Sequence, residues 1–501
     1  MSPEKPVLQT FARPRIWVWA LLGLALLAPL FAPPTGFSQQ PAPTPTAGWQ
    51  SGGLQSPGLP AFVLHLPAVM TRPPLPPAVS SEWFLLVDDG HLVYREVPRR
   101  YHSFTKHPDN PLIVGDLPWE GPMIQLYGTV LDPFRMWYSA YNPETQSTNI
   151  LYAASSDGIH WTKPKTKEDG KNVILVDANL PSVIYRPDDA ERPYRLMVNK
   201  NSAFYGYWSV DGFRMNAYSR FPLFTIGGDV AMFNWDARAN LYRGAAKQTI
   251  EINHALTRVV RFIESTDFEN WTVRPEALIP DSIDYDLAPR HYPQFYGLAS
   301  FPAGRQYLGL LWVLNARDDE GQRGIVNVQL VSSHDGLNWF REEGDRPPVL
   351  DVGPPESWDV GQVYTALSPV VVGDEYWLYY SGCNLPHGEP LTYMICSIGL
   401  ATAPLHRLAS VYGAGTLITQ ELVAPGAALH LNADASQGAL RVELLHNGQV
   451  IPGYEVANSQ ALTTDGMDQI ARWAHRAVLP DVPFQIKFYL ENSDLYAFKV
   501  E

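Results

Sequence analysis

The stretch Ser155-Ser156-Asp157-Gly158-Ile159-His160-Trp161 decides how the chain folds. It follows an apolar run that reads as a strand, carries the Asp-Gly pair of a tight turn, and ends in an aromatic residue that can pack on a sheet. The same pattern returns as Ser209-Val210-Asp211-Gly212-Phe213-Arg214-Met215, Ser265-Thr266-Asp267-Phe268-Glu269-Asn270-Trp271 and Ser333-His334-Asp335-Gly336-Leu337-Asn338-Trp339. In each, the Asp can accept backbone hydrogen bonds within the turn, and the next residue (Gly, or Phe268 in the third copy) occupies a position that favours positive φ. The spacing is that of blade-sized repeats.

Working outward, each signature closes a unit of about four strands. The first runs from Ile124 to Leu131, turns at Asp132-Pro133-Phe134, returns over Arg135 to Tyr141 and again over Asn149 to Ser155. Similar units end at Met215, Trp271 and Trp339, and a fifth, from Val363 to Thr402, lacks the signature. Five such units set radially predict a five-bladed β-propeller, which hides its strand edges by repetition.

The 501 residues are 46% hydrophobic and 12% aromatic, enough for a sizeable core, with Tyr, Trp, Val and Pro plentiful and helical periodicity nearly absent. The fold class is therefore all-β. A formal charge of −14 argues against nucleic acid as a partner and is compatible with a neutral ligand. Lys5, Arg13 and Arg15 precede an apolar run from Ile16 to Ala32 that contains Pro29, so residues 1–38 read as a signal sequence. Residues 39–80 read as a Pro-rich linker, 81–410 as the propeller and 411–501 as a C-terminal β-sandwich, given its short alternating strands such as Leu440 to Leu445. The protein is expected to be secreted or to sit on the cell surface, meeting a membrane only if its N-terminal segment stays uncleaved. Cys383 and Cys396 fall on neighbouring strands, and both a disulfide and two buried thiols fit their spacing. No cofactor or metal site is expected.

The first strand of each blade lines a propeller's channel, so polar residues at those strand starts converge. They supply Trp119-Glu120 before the first blade, Asp229 at the third, His291, Tyr292 and Gln294 at the fourth, and Trp358-Asp359 at the fifth. Glycoside cleavage needs one carboxylic acid to protonate the leaving oxygen and a second carboxylate as nucleophile or base. Glu120, Asp229 and Asp359 form the expected acidic set, with Asp229 stabilising the developing positive charge and the other two sharing acid and base duties. As strand-end caps or partners of arginines, the same residues would have purely structural roles. Trp119, His291, Tyr292, Gln294, Trp358 and His387 are the expected sugar contacts; the aromatic residues serve equally well as packing between blades.

The signatures, together with His107-Pro108-Asp109-Asn110-Pro111-Leu112-Ile113 and Arg135-Met136-Trp137-Tyr138, resemble the five-bladed propeller glycosidases related to glycoside hydrolase families 32 and 43. The stretch Leu429 to Glu443 with Ile451-Pro452-Gly453-Tyr454 is similar to the sandwich of the family 32 branch. The resemblance implies a glycoside hydrolase with an axial funnel. The Asn-Asp-Pro-Asn-Gly, Arg-Asp-Pro and Glu-Cys motifs of family 32 are absent, although Asp229 occupies a place like that of the Arg-Asp-Pro aspartate. A non-catalytic carbohydrate-binding or scaffold protein is the alternative.

Overall fold

The computed structural model describes residues 82–142, 146–166, 169–252, 255–287, 292–318 and 321–501. The expected signal sequence and linker lie outside these residues. Five antiparallel groups of strands follow one another. Blade I comprises Met123–Leu131, Arg135–Asn142, Ser147–Ser155 and Trp161–Thr162; blade II comprises Asn179–Tyr185, Tyr194–Lys200, Ala203–Ser209 and Asn216–Ala217. Blade III runs Ala231–Asp236, Leu241–Ile252, Ala255–Ser265, Thr272–Leu278, and blade IV runs Tyr292–Ala303, Gln306–Ala316, Gly324–Ser333, Trp339–Phe340. Blade V has three consecutive strands, Gln362–Thr365, Glu375–Cys383 and Cys396–Pro404, and takes its fourth, Thr105–Lys106, from before blade I. First strands of blades I to IV touch in succession, and that of blade V contacts blades IV and I, closing the ring.

The four signatures adopt one geometry. In each, the Ser hydroxyl donates to the Asp carboxylate at 2.9–3.1 Å, and the same Asp oxygen accepts two backbone N–H groups further on. The residue after the Asp has φ of +78° at Gly158, +82° at Gly212, +76° at Gly336 and +71° at Phe268, so the third copy holds a left-handed conformation without glycine. Each signature turns toward the preceding blade. Tyr379 of blade V donates to the Gly158 carbonyl and Trp137 of blade I to that of Gly212, while Phe268 packs against Tyr218 of blade II. At the fourth, a Cβ on Gly336 would collide with Arg243 of blade III. The repeat thus supplies both the turn and the joint between blades.

Cys383 and Cys396 face each other across blade V and form a disulfide, which resolves the two readings of their spacing.

The C-terminal region is a sandwich built from one nine-stranded sheet rather than two separate ones. Its 16-residue strand Gln485–Val500 pairs with Ala439–His446 over its first half and with Leu429–Asp434 over its second. Ala409–Thr419 runs along its other edge. Between them lies an apolar core that includes Leu431, Val442, Leu444, Ile486, Phe488 and Phe498. Three N-terminal strands, Phe84–Leu85, Leu92–Arg95 and Arg99–Tyr101, also belong to this sheet, although the sequence reading begins the propeller at residue 81. They tie it to blade IV. Asp88 accepts hydrogen bonds from Gln306 at 3.0 Å and Ser332 at 2.6 Å and pairs with His334 at 2.9 Å, while fully buried Arg99 pairs with Glu342.

Candidate active site

All five blades contribute to an axial cavity of about 370 Å³. Blade I supplies Gln125, blade II Asn179 and Leu180, blade IV Tyr296, and blade V Gln362 and Tyr364; Asp229 and Val230 come from the entry to blade III. One side is formed by the loop between the two cysteines, which brings His387, Glu389, Leu391 and Met394 to the wall. Tyr127, Tyr296 and Tyr364 form an aromatic cluster, with ring centroids 4.8 Å apart for Tyr127–Tyr364 and 5.6 Å for Tyr296–Tyr364. Burial raises the phenol pKa of Tyr127 and Tyr364 well above its ordinary value, so both remain hydroxyl donors at neutral pH.

The local sequence explains how Asp229 reaches this wall. A Cβ on Gly228 would come within 1.8 Å of the Lys247 carbonyl oxygen, so only glycine lets the backbone pass close enough to blade III's second strand. Asp229 then meets the same lysine from the other side, with Lys247 Nζ at 2.7 Å from its carboxylate. Burial acts most strongly and raises the Asp229 pKa, but Lys247, the backbone amide and Arg258 together outweigh it and hold the carboxyl below its ordinary value. The buried ammonium of Lys247 also lies 4.0 Å from the centroid of the Tyr296 ring.

His387 is fixed at both nitrogens. Its Nδ1–H donates to the Gln322 carbonyl oxygen at 2.5 Å, which leaves Nε2 facing the Tyr296 hydroxyl at 3.3 Å. Burial lowers its pKa, and Arg258 and Lys247 act in the same direction, so the imidazole is held neutral. Two residues on, the half-buried Glu389 side chain forms no hydrogen bond or ion pair among the described residues. The wall therefore carries an ionised carboxylate with a cation beside it, a carboxyl group without one, a neutral imidazole and tyrosine rings whose hydroxyls are bound within the protein.

The structure does not bring the expected acidic set together. Glu120 is fully buried in blade I, where it accepts from Tyr138 at 2.6 Å, Lys163 at 2.7 Å and the amides of Asp116 and Leu117. Asp359 is buried behind blade V, bound to Lys106 at 2.6 Å, Tyr380 at 3.0 Å and Ser357 at 3.0 Å. Both carboxylates are used up by local donors, and neither lines the cavity. Their neighbours follow them. The Trp119 indole donates to Asn172, and Trp358 packs on the Tyr380 ring.

Gln294 also misses the wall. Its oxygen accepts from the Arg258 amide at 2.8 Å and from the Arg258 guanidinium at 3.3 Å, making it a support for the arginine beside Tyr296. His291 and the side chain of Tyr292 lie outside the described residues. Among the described residues, Asp229 and His387 are thus the two expected site residues that line the cavity. Glu389, Tyr364 and Gln125 line it unpredicted as site residues, while Asn179 lines it from the start of the second unit's first strand, one of the positions expected to converge on the channel; the nearest sequence signal for Glu389 was its place two residues after His387.

No family model and no curated protein matches this chain. Among solved structures, it is similar to an N-acetylgalactosamine deacetylase from F. plautii in complex with blood group B trisaccharide, at 14% identity and a TM-score of 0.41, covering 62% of this chain and 96% of that one. A glycosyl hydrolase from Bacteroides ovatus aligns at 12% identity and a TM-score of 0.43, over 62% of this chain and 97% of that one. A β-1,2-mannobiose phosphorylase from Listeria innocua, in complex with β-1,2-mannobiose, aligns at 13% and 0.42, over 61% and 99%. Likenesses at this level assign this chain no activity or substrate.

Proposed function

We propose that this protein is a secreted glycoside hydrolase acting on a neutral oligo- or polysaccharide held in the axial cavity. The observation that carries the reading is the presence of two carboxyl groups, Asp229 and Glu389, on one cavity whose wall also bears tyrosine rings and amide side chains. Asp229, kept ionised by Lys247, is unsuited to donate a proton and suited to stabilise an oxocarbenium-like transition state. Glu389, the second carboxyl group on the same wall, is assigned as the proton donor to the leaving oxygen. The amide side chains of Gln125 and Asn179 orient sugar hydroxyls, and ring faces meet the apolar C–H surface of a sugar.

Asp229→Asn and Glu389→Gln are each expected to lower turnover roughly 10²- to 10⁴-fold, the usual range for a lost acid or base, with the melting temperature little changed. Purified protein assayed on a neutral glycan panel with product analysis checks this. Wild-type rates in both variants would overturn the assignment.

A second reading, a non-catalytic carbohydrate binder, is favoured by the withdrawal of Glu120 and Asp359 into structural pairs. It predicts glycan binding without any product from wild-type protein.

A further inference from the structure

We infer that the sugar taken by the axial cavity is an N-acetylated hexosamine, whose acetamido group is held where blades V and I meet. On that side the wall is apolar: Met123 and Tyr141 come from blade I, Leu391 and Met394 from the loop between the two cysteines. Met123 and Met394 pack in one cluster with the cysteines, and Tyr141, the strand partner of Met123, packs against it. Both methionines are largely buried yet keep an edge on the cavity, and Leu391, on the turn Leu391–Tyr393, is 57% exposed. The hydroxyl groups of a plain hexose gain nothing from such a surface, whereas a methyl group does, and methionine side chains adapt to its shape.

An open amide stands beside this apolar patch. Gln125 lies two residues from Met123 on the same strand, so both side chains face the same way. Its Nε2 donates to Cys396 Sγ at 3.9 Å, a weak bond, while its Oε1 accepts no hydrogen bond among the described residues. Gln125 is half-buried, and that oxygen is not sealed from solvent. Gln362, the other glutamine on the wall, is occupied: its Oε1 accepts from Tyr364 at 2.5 Å, and its Nε2 donates to the Leu385 carbonyl oxygen at 2.8 Å. An acetamido group presents an N–H donor and a methyl group side by side, the pair that Gln125 Oε1 and the methionines match. A 6-deoxy sugar carries the methyl group without the donor. The acetamido group is also uncharged, in keeping with a neutral substrate.

This inference rests on reading the axial cavity as a sugar site, and it names the sugar that site takes. Ligand-observed NMR titration of the full protein compares glucose, galactose and mannose with N-acetylglucosamine, N-acetylgalactosamine and N-acetylmannosamine, and with the 6-deoxy forms of the same hexoses. At least one N-acetylhexosamine is expected to bind roughly tenfold tighter than its parent hexose, the combined effect of one buried methyl group and one hydrogen bond. Gln125→Leu, Met394→Gln and Leu391→Asn are each expected to cut that ratio to about threefold or less. Leu391 is an exposed loop residue, so Leu391→Asn carries the test if Met394→Gln fails to fold. Equal affinity for acetylated and parent sugars, a matching gain for the 6-deoxy sugars, no binding of any of these sugars, or a wild-type ratio in any folded variant would overturn the proposal. Failure of the catalytic reading shows separately, as preferential binding of N-acetylhexosamines with no product formed from N-acetylated oligosaccharides.

Discussion

Carboxylates of one type meet opposite fates in this protein because of the cation each finds. Asp229 stays at a cavity wall with Lys247 beside it, whereas Glu120 and Asp359 are consumed by Lys163, Lys106 and tyrosine hydroxyls. The signature aspartates form a third class, held by backbone amides. The His160 ring is the leading influence lowering the Asp157 pKa; at Asp211, Asp267 and Asp335 burial pushes upward, but the N–H groups of the turn outweigh it. Asp267 falls from an ordinary 3.8 to about 2. A carboxyl depressed in the folded state contributes stability above its unfolded pKa and loses it as pH falls through the folded value. Urea midpoints are therefore expected to drop as pH is lowered from about 4 to about 2, with a shallower drop in Asp267→Asn. An unchanged slope in that variant would show that the turn does not contribute to acid sensitivity.

Among the elements, the third signature separates backbone strain from packing. Phe268 holds φ of +71° and is fully buried against Tyr218, Tyr242 and Trp271. Glycine would relieve a strain of about 1–3 kcal/mol. Losing a buried aromatic costs about 3–5 kcal/mol, and the ring links blades II and III. Packing wins this comparison, so Phe268→Gly is expected to destabilise the protein by about 2 kcal/mol, net of those two effects. Equilibrium denaturation checks it, and a variant more stable than wild type would mean that the backbone dominates.

For the whole molecule, the decisive feature is that the C-terminal sheet is assembled from both ends of the described chain. Phe84, Leu86, Leu92 and Val97 sit in the same core as Val442, Phe488 and Phe498. Removing residues 411–501 strips Phe84–Leu85 and Leu92–Arg95 of every pairing partner they have in that sheet and leaves Arg99–Tyr101 only Ala409 and Ser410. At roughly 25 cal/mol for each Å² of apolar surface exposed, the truncated protein is expected to aggregate or melt at much lower temperature. Scattering and thermal melts test this. A soluble protein with unchanged melting that had lost only polysaccharide affinity would instead make the C-terminal sheet a carbohydrate-binding module.

The sequence by itself determined the all-β class, the five repeated units and the geometry of their closing turns, because the bonds that shape each signature span three residues or fewer. It also marked Asp229, through its place at the entry to the third unit, and His387. What only the tertiary structure decided involves partners far apart in the chain. The lysine that claims Asp359 is 253 residues away and the one that claims Glu120 is 43 away, so nothing local separates a wall carboxylate from a buried one. Glu389 reaches the cavity because a disulfide and blade IV hold its loop there, and Thr105–Lys106 completes blade V across nearly the whole propeller. Such pairings depend on ring closure, which no periodicity of residues encodes.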